Sequence, residues 1–138
     1  MRVRTADFTT DHADIRRIRF AVFVAEQQVP AELEMDERDP HCTHVLAFDD
    51  GGTAVATGRI DADGKIGRVA VIAEARRGGA GRAVMEHLHA IANERGLRAV
   101  WCNAQVGAAP FYERLGYQSV GERFYEAGIE HVRMDKTL

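Results

Sequence analysis

Residues 76 to 81 read Arg-Arg-Gly-Gly-Ala-Gly. They lie between a β-branched run, Ile66-Gly67-Arg68-Val69-Ala70-Val71-Ile72, and a segment with apolar residues at Val84, Leu88, Ile91 and Ala92. The latter spacing is one face of a 3.6-residue period. A strand, a glycine-rich turn and a helix N-terminus in that order make an anion cradle. The first N–H groups of such a helix have no partner inside it and point at whatever sits over the turn. Glycine admits close backbone approach and positive φ. A phosphate-bearing ligand is therefore expected. A nucleoside triphosphate would need Lys and then Ser or Thr after the last glycine, and Arg82-Ala83 stands there instead. A dinucleotide fingerprint would need G-x-G-x-x-G, and Gly79-Ala80-Gly81-Arg82-Ala83-Val84 lacks the third glycine.

A second segment with chemical content is Ala108-Ala109-Pro110-Phe111-Tyr112-Glu113-Arg114-Leu115-Gly116-Tyr117, which follows the strand-like run Ala99-Val100-Trp101-Cys102. Carboxylates and histidines that could move a proton are Glu26, Asp36, Glu37, His44 and His131. His41-Cys42-Thr43-His44 offers three potential metal ligands, but a fourth partner at zinc spacing is missing. No metal site is expected.

The elements that must position these groups can be read from periodicity and punctuation. Arg2 to Arg4 is a short strand. Asp11 is a plausible N-cap for a helix carrying Ile15, Ile18, Val22 and Phe23 on one face and ending before Pro30. An acidic loop with a short helical turn runs from Pro30 to Pro40. Strands follow at His44 to Phe48, Thr53 to Ala62 and Lys65 to Ile72, with Asp50-Gly51-Gly52 as a hairpin signal. The long helix covers Gly79 to Glu94, with Gly96 past its end. A strand at 98–104, a helix at 107–115 and two strands near 118–125 and 130–137 complete the chain.

At 138 residues one domain is expected, residues 1–138, large enough for one core. No apolar stretch reaches membrane-spanning length, and Met1-Arg2-Val3-Arg4-Thr5-Ala6-Asp7 lacks the apolar segment of a signal peptide. Cys42 and Cys102 read as two reduced thiols, so a cytoplasmic location is expected. A net charge of −3 argues against a nucleic-acid partner. Arginines gather at residues 76, 77 and 82, and acids between Glu32 and Asp39. That asymmetry suits an anionic cofactor on one side and a cationic acceptor on the other.

Arg76-x-x-Gly79-x-Gly81 resembles the coenzyme A pyrophosphate loop of the GCN5-related N-acetyltransferases (GNAT). Ala108 to Tyr117 resembles the Ala-x-x-hydrophobic-Tyr-x-x-x-Gly-Phe/Tyr signature of the same superfamily. Arg19-x-x-Val22-Phe23-Val24-x-Glu26-Gln27, the acidic run Glu32 to Asp39, His44-Val45 and the tail Phe124-x-Glu126-Ala127-Gly128-Ile129-x-His131-x-x-Met134 are similar to its ElaA-type subgroup. The resemblance implies an α/β (α+β) GNAT fold: a mixed, mostly antiparallel central sheet of about seven strands with helices on both faces. The strands ending near Val71 and Ala104 should splay and admit the pantetheine arm.

The same resemblance implies acetyl-CoA as cosubstrate, held by Val69, Ala70, Val71, Arg76, Arg77, Gly78, Gly79, Ala80, Gly81, Arg82 and Tyr112. Many relatives carry Asn where Gln105 stands, so Gln105 is a longer-armed contact to the cofactor. The reaction would be direct attack by a primary amine, on a small molecule or a peptide, in a ternary complex. Backbone N–H groups at Val69 to Val71 would hold the oxyanion, Tyr112 would assist the departing thiolate, and Glu26, then His131, rank as bases, with an ordered water as the alternative. A homodimer is compatible with this reading. Two alternatives belong to other classes: a non-catalytic acyl-CoA sensor, and an acyl-homoserine-lactone synthase, suggested by Arg19-x-x-Val22-Phe23. The N-terminal tryptophan of those synthases is absent, since Trp101 is the only one.

Overall fold

A computed structural model describes residues 1–138. It contains seven strands, as the periodicity predicts: β1 (Arg2–Ala6), β2 (Thr43–Phe48), β3 (Ala54–Ile60), β4 (Ile66–Val71), β5 (Ala99–Gln105), β6 (Gln118–Glu126) and β7 (Ile129–Thr137). The helices are α1 (His12–Arg19), α2 (Ala31–Glu34), α3 (Ala80–Glu94) and α4 (Ala109–Arg114). The strands form two antiparallel sheets, one in the order β1-β2-β3-β4 and one in the order β5-β7-β6. The sheets join only at one end of the β4–β5 seam. There Lys65 and Trp101 form a parallel bridge, and Trp101 N–H donates to the Gly64 carbonyl at 3.1 Å. Beyond that point β4 and β5 separate, which is the splay that the resemblance implies.

Both faces of the first sheet are covered, and β2 shows why its sequence is apolar at nearly every position. Val45 and Ala47 pack with Val84, Met85 and Leu88 of α3. Leu46 and Phe48 pack with Ile15, Ile18 and Val22 on the opposite face. At the centre, β3 comes so close to α3 that a Cβ on Gly58 would lie 2.8 Å from Val84 Cγ1. Gly58 also stands where the β3–β4 register slips, between Thr57 and Arg59. The bulged strand β4 carries Arg68 at φ 52°, in the left-handed region. Helix α3 ends as expected, with Gly96 at φ 75° and Leu97 N–H donating to Ala92 O.

Two local expectations change. Asp11 precedes α1 but forms no cap bond to it; its carboxylate instead accepts from the Asp7 amide and pairs with Arg4. The first helix does not run on as α-helix to Pro30. Over Phe20–Glu26 it widens into π-helical turns, and Gln27 N–H reaches Val22 O. That widening delivers Phe23, Glu26 and Gln27 to the wall of the cleft described next.

Candidate active site

The separation of β4 from β5 opens a cleft of about 990 Å³ between the two sheets. One end is the glycine-rich turn. Arg77 and Gly79 both adopt left-handed backbone, at φ 69° and 84°. Gly79 is the N-cap of α3, and no side chain caps that helix. The N–H groups of residues 77 to 82 have no acceptor within the chain. A turn of unsatisfied amides at the positive end of a 15-residue helix has the geometry and polarity that suit an anion. Gly81 lies under the Phe111 ring, so α4 is braced against the first turn of α3.

Along the cleft wall, the free edge of β4 supplies backbone groups. Ile72 N–H donates to Val55 O on β3, so strand alternation turns the N–H and C=O of Val71 toward the opening, and those of Val69 with them. Ala70, between them, is paired with Thr57. Arg76 Nε donates to Val71 O at 3.1 Å and ties the turn to the strand.

Tyr112 sits opposite, on α4. Its ring is wedged edge-on between Phe111 and Tyr117, with centroids 5.1 and 5.5 Å away. The residue is only 9% exposed, lines the cleft, and its hydroxyl has no hydrogen-bond partner in the chain. Burial raises the phenol pKa above its ordinary value, so the proton stays on oxygen. This is a fixed donor without an acceptor. Cys102 also lines the cleft, and burial pushes its thiol up to about 12, leaving it inert.

The other expected site residues are distributed as follows. Glu26 and Arg76 form a two-point ion pair at the cleft mouth, 2.8 and 2.6 Å. The Arg76 hydrogen bonds hold the Glu26 carboxyl below its usual range, which makes it a weaker base. Gln105 Nε2 donates to Gln27 Oε1 at 2.7 Å and so bridges the end of β5 to the π-helical segment. His131 lies opposite Gln105 in the β5–β7 register and lines the cleft. Its Nδ1 donates to Ile129 O at 2.7 Å, and its Nε2 lies 3.8 Å from Glu126. Arg82 is tied to Glu86 on the surface of α3. In the His41-to-His44 run, His44 turns inward: its Nε2 donates to Asp39 O and its Nδ1 faces Arg19.

Within the acidic run Asp36 and Asp39 are committed to arginines, while Glu32 and Glu37 are exposed. Arg19 pairs with Asp39 at 2.9 Å, Arg59 with Asp36 and Asp39 at 2.7 Å, and Arg68 with Asp36 at 3.1 Å. Burial works against the charge of Asp36, but the Arg59 and Arg68 cations outweigh it and hold that carboxyl at about 2. Glu34 is different. It is 2% exposed, Oε1 has no hydrogen-bond partner, and Arg19 and Arg68 approach no closer than 3.9 Å. Burial pushes it up to about 7 against the pull of both arginines. Sequence reading passed over Glu34 within the run. The signal that could have found it is the pair of arginines, Arg59 and Arg68, placed in otherwise apolar strands.

The sequence from residue 5 to residue 138 matches the family described as the acetyltransferase (GNAT) domain. The chain belongs to the GNAT family. It is 39% identical over 123 residues to the uncharacterized N-acetyltransferase YjcF of Bacillus subtilis, covering 86% of this chain and 87% of that one. Among solved structures it is similar to an acyl-CoA N-acyltransferase from Pseudomonas aeruginosa, with TM-score 0.85, 27% identity, and coverage of 99% and 100%. Escherichia coli ElaA is similar too, with TM-score 0.85, 25% identity and 99% of each chain covered. This GNAT member is an acyltransferase, and its family uses acetyl-CoA as cosubstrate. Its unsatisfied turn and splayed strands fit such a cosubstrate: amides for the pyrophosphate and a strand edge for the amide groups of the pantetheine arm. No helix of the chain is long and apolar enough to cross a membrane.

Proposed function

We propose that this enzyme binds acetyl-CoA with its pyrophosphate on the amides of residues 77 to 82 and moves the acetyl group to a primary amine. One observation carries the reading. The run of unpartnered N–H groups opens onto the same cleft as the unpartnered Tyr112 hydroxyl. The acceptor is a small molecule or a peptide amine, which enters from the side of the π-helical segment and the β6–β7 hairpin.

The amine nitrogen attacks the thioester carbon in a ternary complex. Carbonyl oxygen gains charge, and the edge N–H group of Val69 is preset to receive it, which leaves that of Val71 to the pantetheine arm. The carbon–sulfur bond breaks, and Tyr112 donates a hydrogen bond to the sulfur. Because burial raises the tyrosine pKa, Tyr112 lends its proton and does not surrender it. Gln105, held by Gln27, braces the cleft where the arm passes. Glu26 serves by orienting Arg76 and has little capacity left as a base.

The test has two arms. Acetyl-CoA at about a hundredfold excess over Kd should raise Tm, since binding the native state alone is then worth about 2.7 kcal/mol. Free thiol release should then follow on adding members of a panel of polyamines, aminoglycosides and peptide N-termini. An unchanged Tm would remove the cofactor assignment. Stabilisation without turnover across the panel would remove the amine acceptor.

A further inference from the structure

We propose that Glu34 takes the proton from the attacking amine. This rests on the acetyl-transfer reading above and adds the group it lacks.

Position comes first. Arg68 stands at the β4 bulge, next to Val69, and its guanidinium donates to Glu34 O and Leu33 O at 3.2 Å each. These bonds pin the end of α2 against the bulge. The side chain follows, with Glu34 Oε1 3.9 Å from Arg68 Nε. Glu34 lines the cleft.

Freedom comes second. The neighbouring carboxylates on this wall are bound to cations: Glu26 to Arg76, Asp36 to Arg59 and Arg68, and Asp61 to Arg38. Glu34 alone among them accepts no hydrogen bond, although its side chain is buried. Oε1 is enclosed and faces the Nε atoms of Arg19 and Arg68 at 3.9 Å, which leaves Oε2 as the oxygen that can meet an ammonium in the cleft.

Charge comes third. Arg19, Arg59 and Arg68 face Glu34, Asp36 and Asp39. The cluster is balanced with Glu34 ionised and carries one positive charge with it protonated. His44 adjoins it with both ring nitrogens engaged. Burial, opposed by Arg68 and Arg19, brings Glu34 to about 7, where a base is both partly free and strong enough to act at neutral pH. His131 also lines the cleft, but its Nε2 lies 3.8 Å from Glu126, at the β6–β7 end of the cleft.

The protons balance. An alkylammonium gives one proton to the Glu34 carboxylate, which later returns it to solvent. The amine lone pair forms the carbon–nitrogen bond, and the carbon–sulfur bond breaks. The second nitrogen proton ends on the departing sulfur, and the amide keeps the third.

The test compares two nucleophiles with the full chain and acetyl-CoA. n-Butylamine is an ammonium ion at neutral pH and must lose a proton before it attacks. Hydroxylamine is unprotonated there and need not. For Glu34→Gln, kcat/KM with n-butylamine should fall about a hundredfold and its acid limb near pH 7 should vanish. With hydroxylamine the fall should stay within about tenfold, and the calorimetric acetyl-CoA affinity should hold. If Glu34→Gln does not fold, Glu34→Asp replaces it, with a lowered rate and a retained acid limb expected. Equal losses for both nucleophiles, or an unchanged rate and acid limb, would overturn the assignment. So would transfer to neither nucleophile by a parent enzyme that binds acetyl-CoA. A parent that fails to bind acetyl-CoA would instead overturn the reading beneath it.

Discussion

Arg76 holds Glu26 with both ends of its guanidinium, 2.8 and 2.6 Å, across a separation of 50 positions in the chain. The pair sits where the phosphate turn meets the π-helical segment. A carboxylate so bound is neutralising a cation beside the expected pyrophosphate. Glu26→Gln should therefore leave the acid limb of kcat/KM in place. It should tighten CoA binding by only about two- to fivefold, because an exposed charge is screened by solvent. Stopped-flow rates across pH and calorimetry check the two halves. A lost acid limb would restore Glu26 as the base.

Gly79 and Arg82 should differ sharply as contributors to cofactor binding. Gly79 stands at φ 84°, where a side chain is strained, and its amide opens on the anion site. Arg82 is exposed and already paired with Glu86. Gly79→Asp is expected to weaken CoA binding by on the order of a hundredfold, adding strain and negative charge together. Arg82→Ala should cost less than about fivefold, since its attraction is screened. Titration calorimetry giving equal losses would place the phosphates elsewhere.

Tyr112→Phe keeps the ring between Phe111 and Tyr117 and removes only the hydroxyl. The expected fall in kcat is on the order of ten- to a thousandfold, with acetyl-CoA affinity little changed. Parent-like turnover under conditions where chemistry limits the rate would make Tyr112 a packing residue.

Glu34 also leaves a mark on stability. Its carboxyl rises from 4.5 in the open chain to about 7 in the fold, so the folded state binds the extra proton. Its contribution is complete below about pH 4.5 and is lost as pH climbs through about 7. Asp36 acts oppositely: it is held down at about 2, and its contribution is lost only in strong acid. Relative to Glu34→Gln, the parent should lose stability between pH 4.5 and 7, by up to about 3 kcal/mol for the full shift. Urea midpoints of both proteins across that range check it. Parallel curves would mean that Glu34 is ionised normally.

The order and type of these elements were legible because each is local. A continuous apolar run marks β2 and period 3.6 marks α3, and Gly96 and the Asp50-Gly51-Gly52 turn are punctuation. The glycine turn and Tyr112 were legible as motifs. What escaped depends on distant partners. The ion pair of Glu26 was hidden because Arg76 is 50 positions away in sequence. Glu34 looked like one acid in a run because Arg19, Arg59 and Arg68 reach it from α1, β3 and β4. The widening of the first helix over Phe20–Glu26 has no periodic signature, since Ile15, Ile18 and Val22 pack as an ordinary helical face.

Backbone amide NMR on a ¹⁵N-labelled chain tests the central claim most directly. On addition of CoA, the N–H resonances of residues 77 to 82 should move together downfield, as amides do on gaining a charged acceptor. Those of Val69 and Val71 should follow as the pantetheine arm pairs with β4, while those on the far edge strand β6 should not. Saturable shifts confined to residues outside the turn and the β4 edge, or no shifts at millimolar CoA, would contradict it.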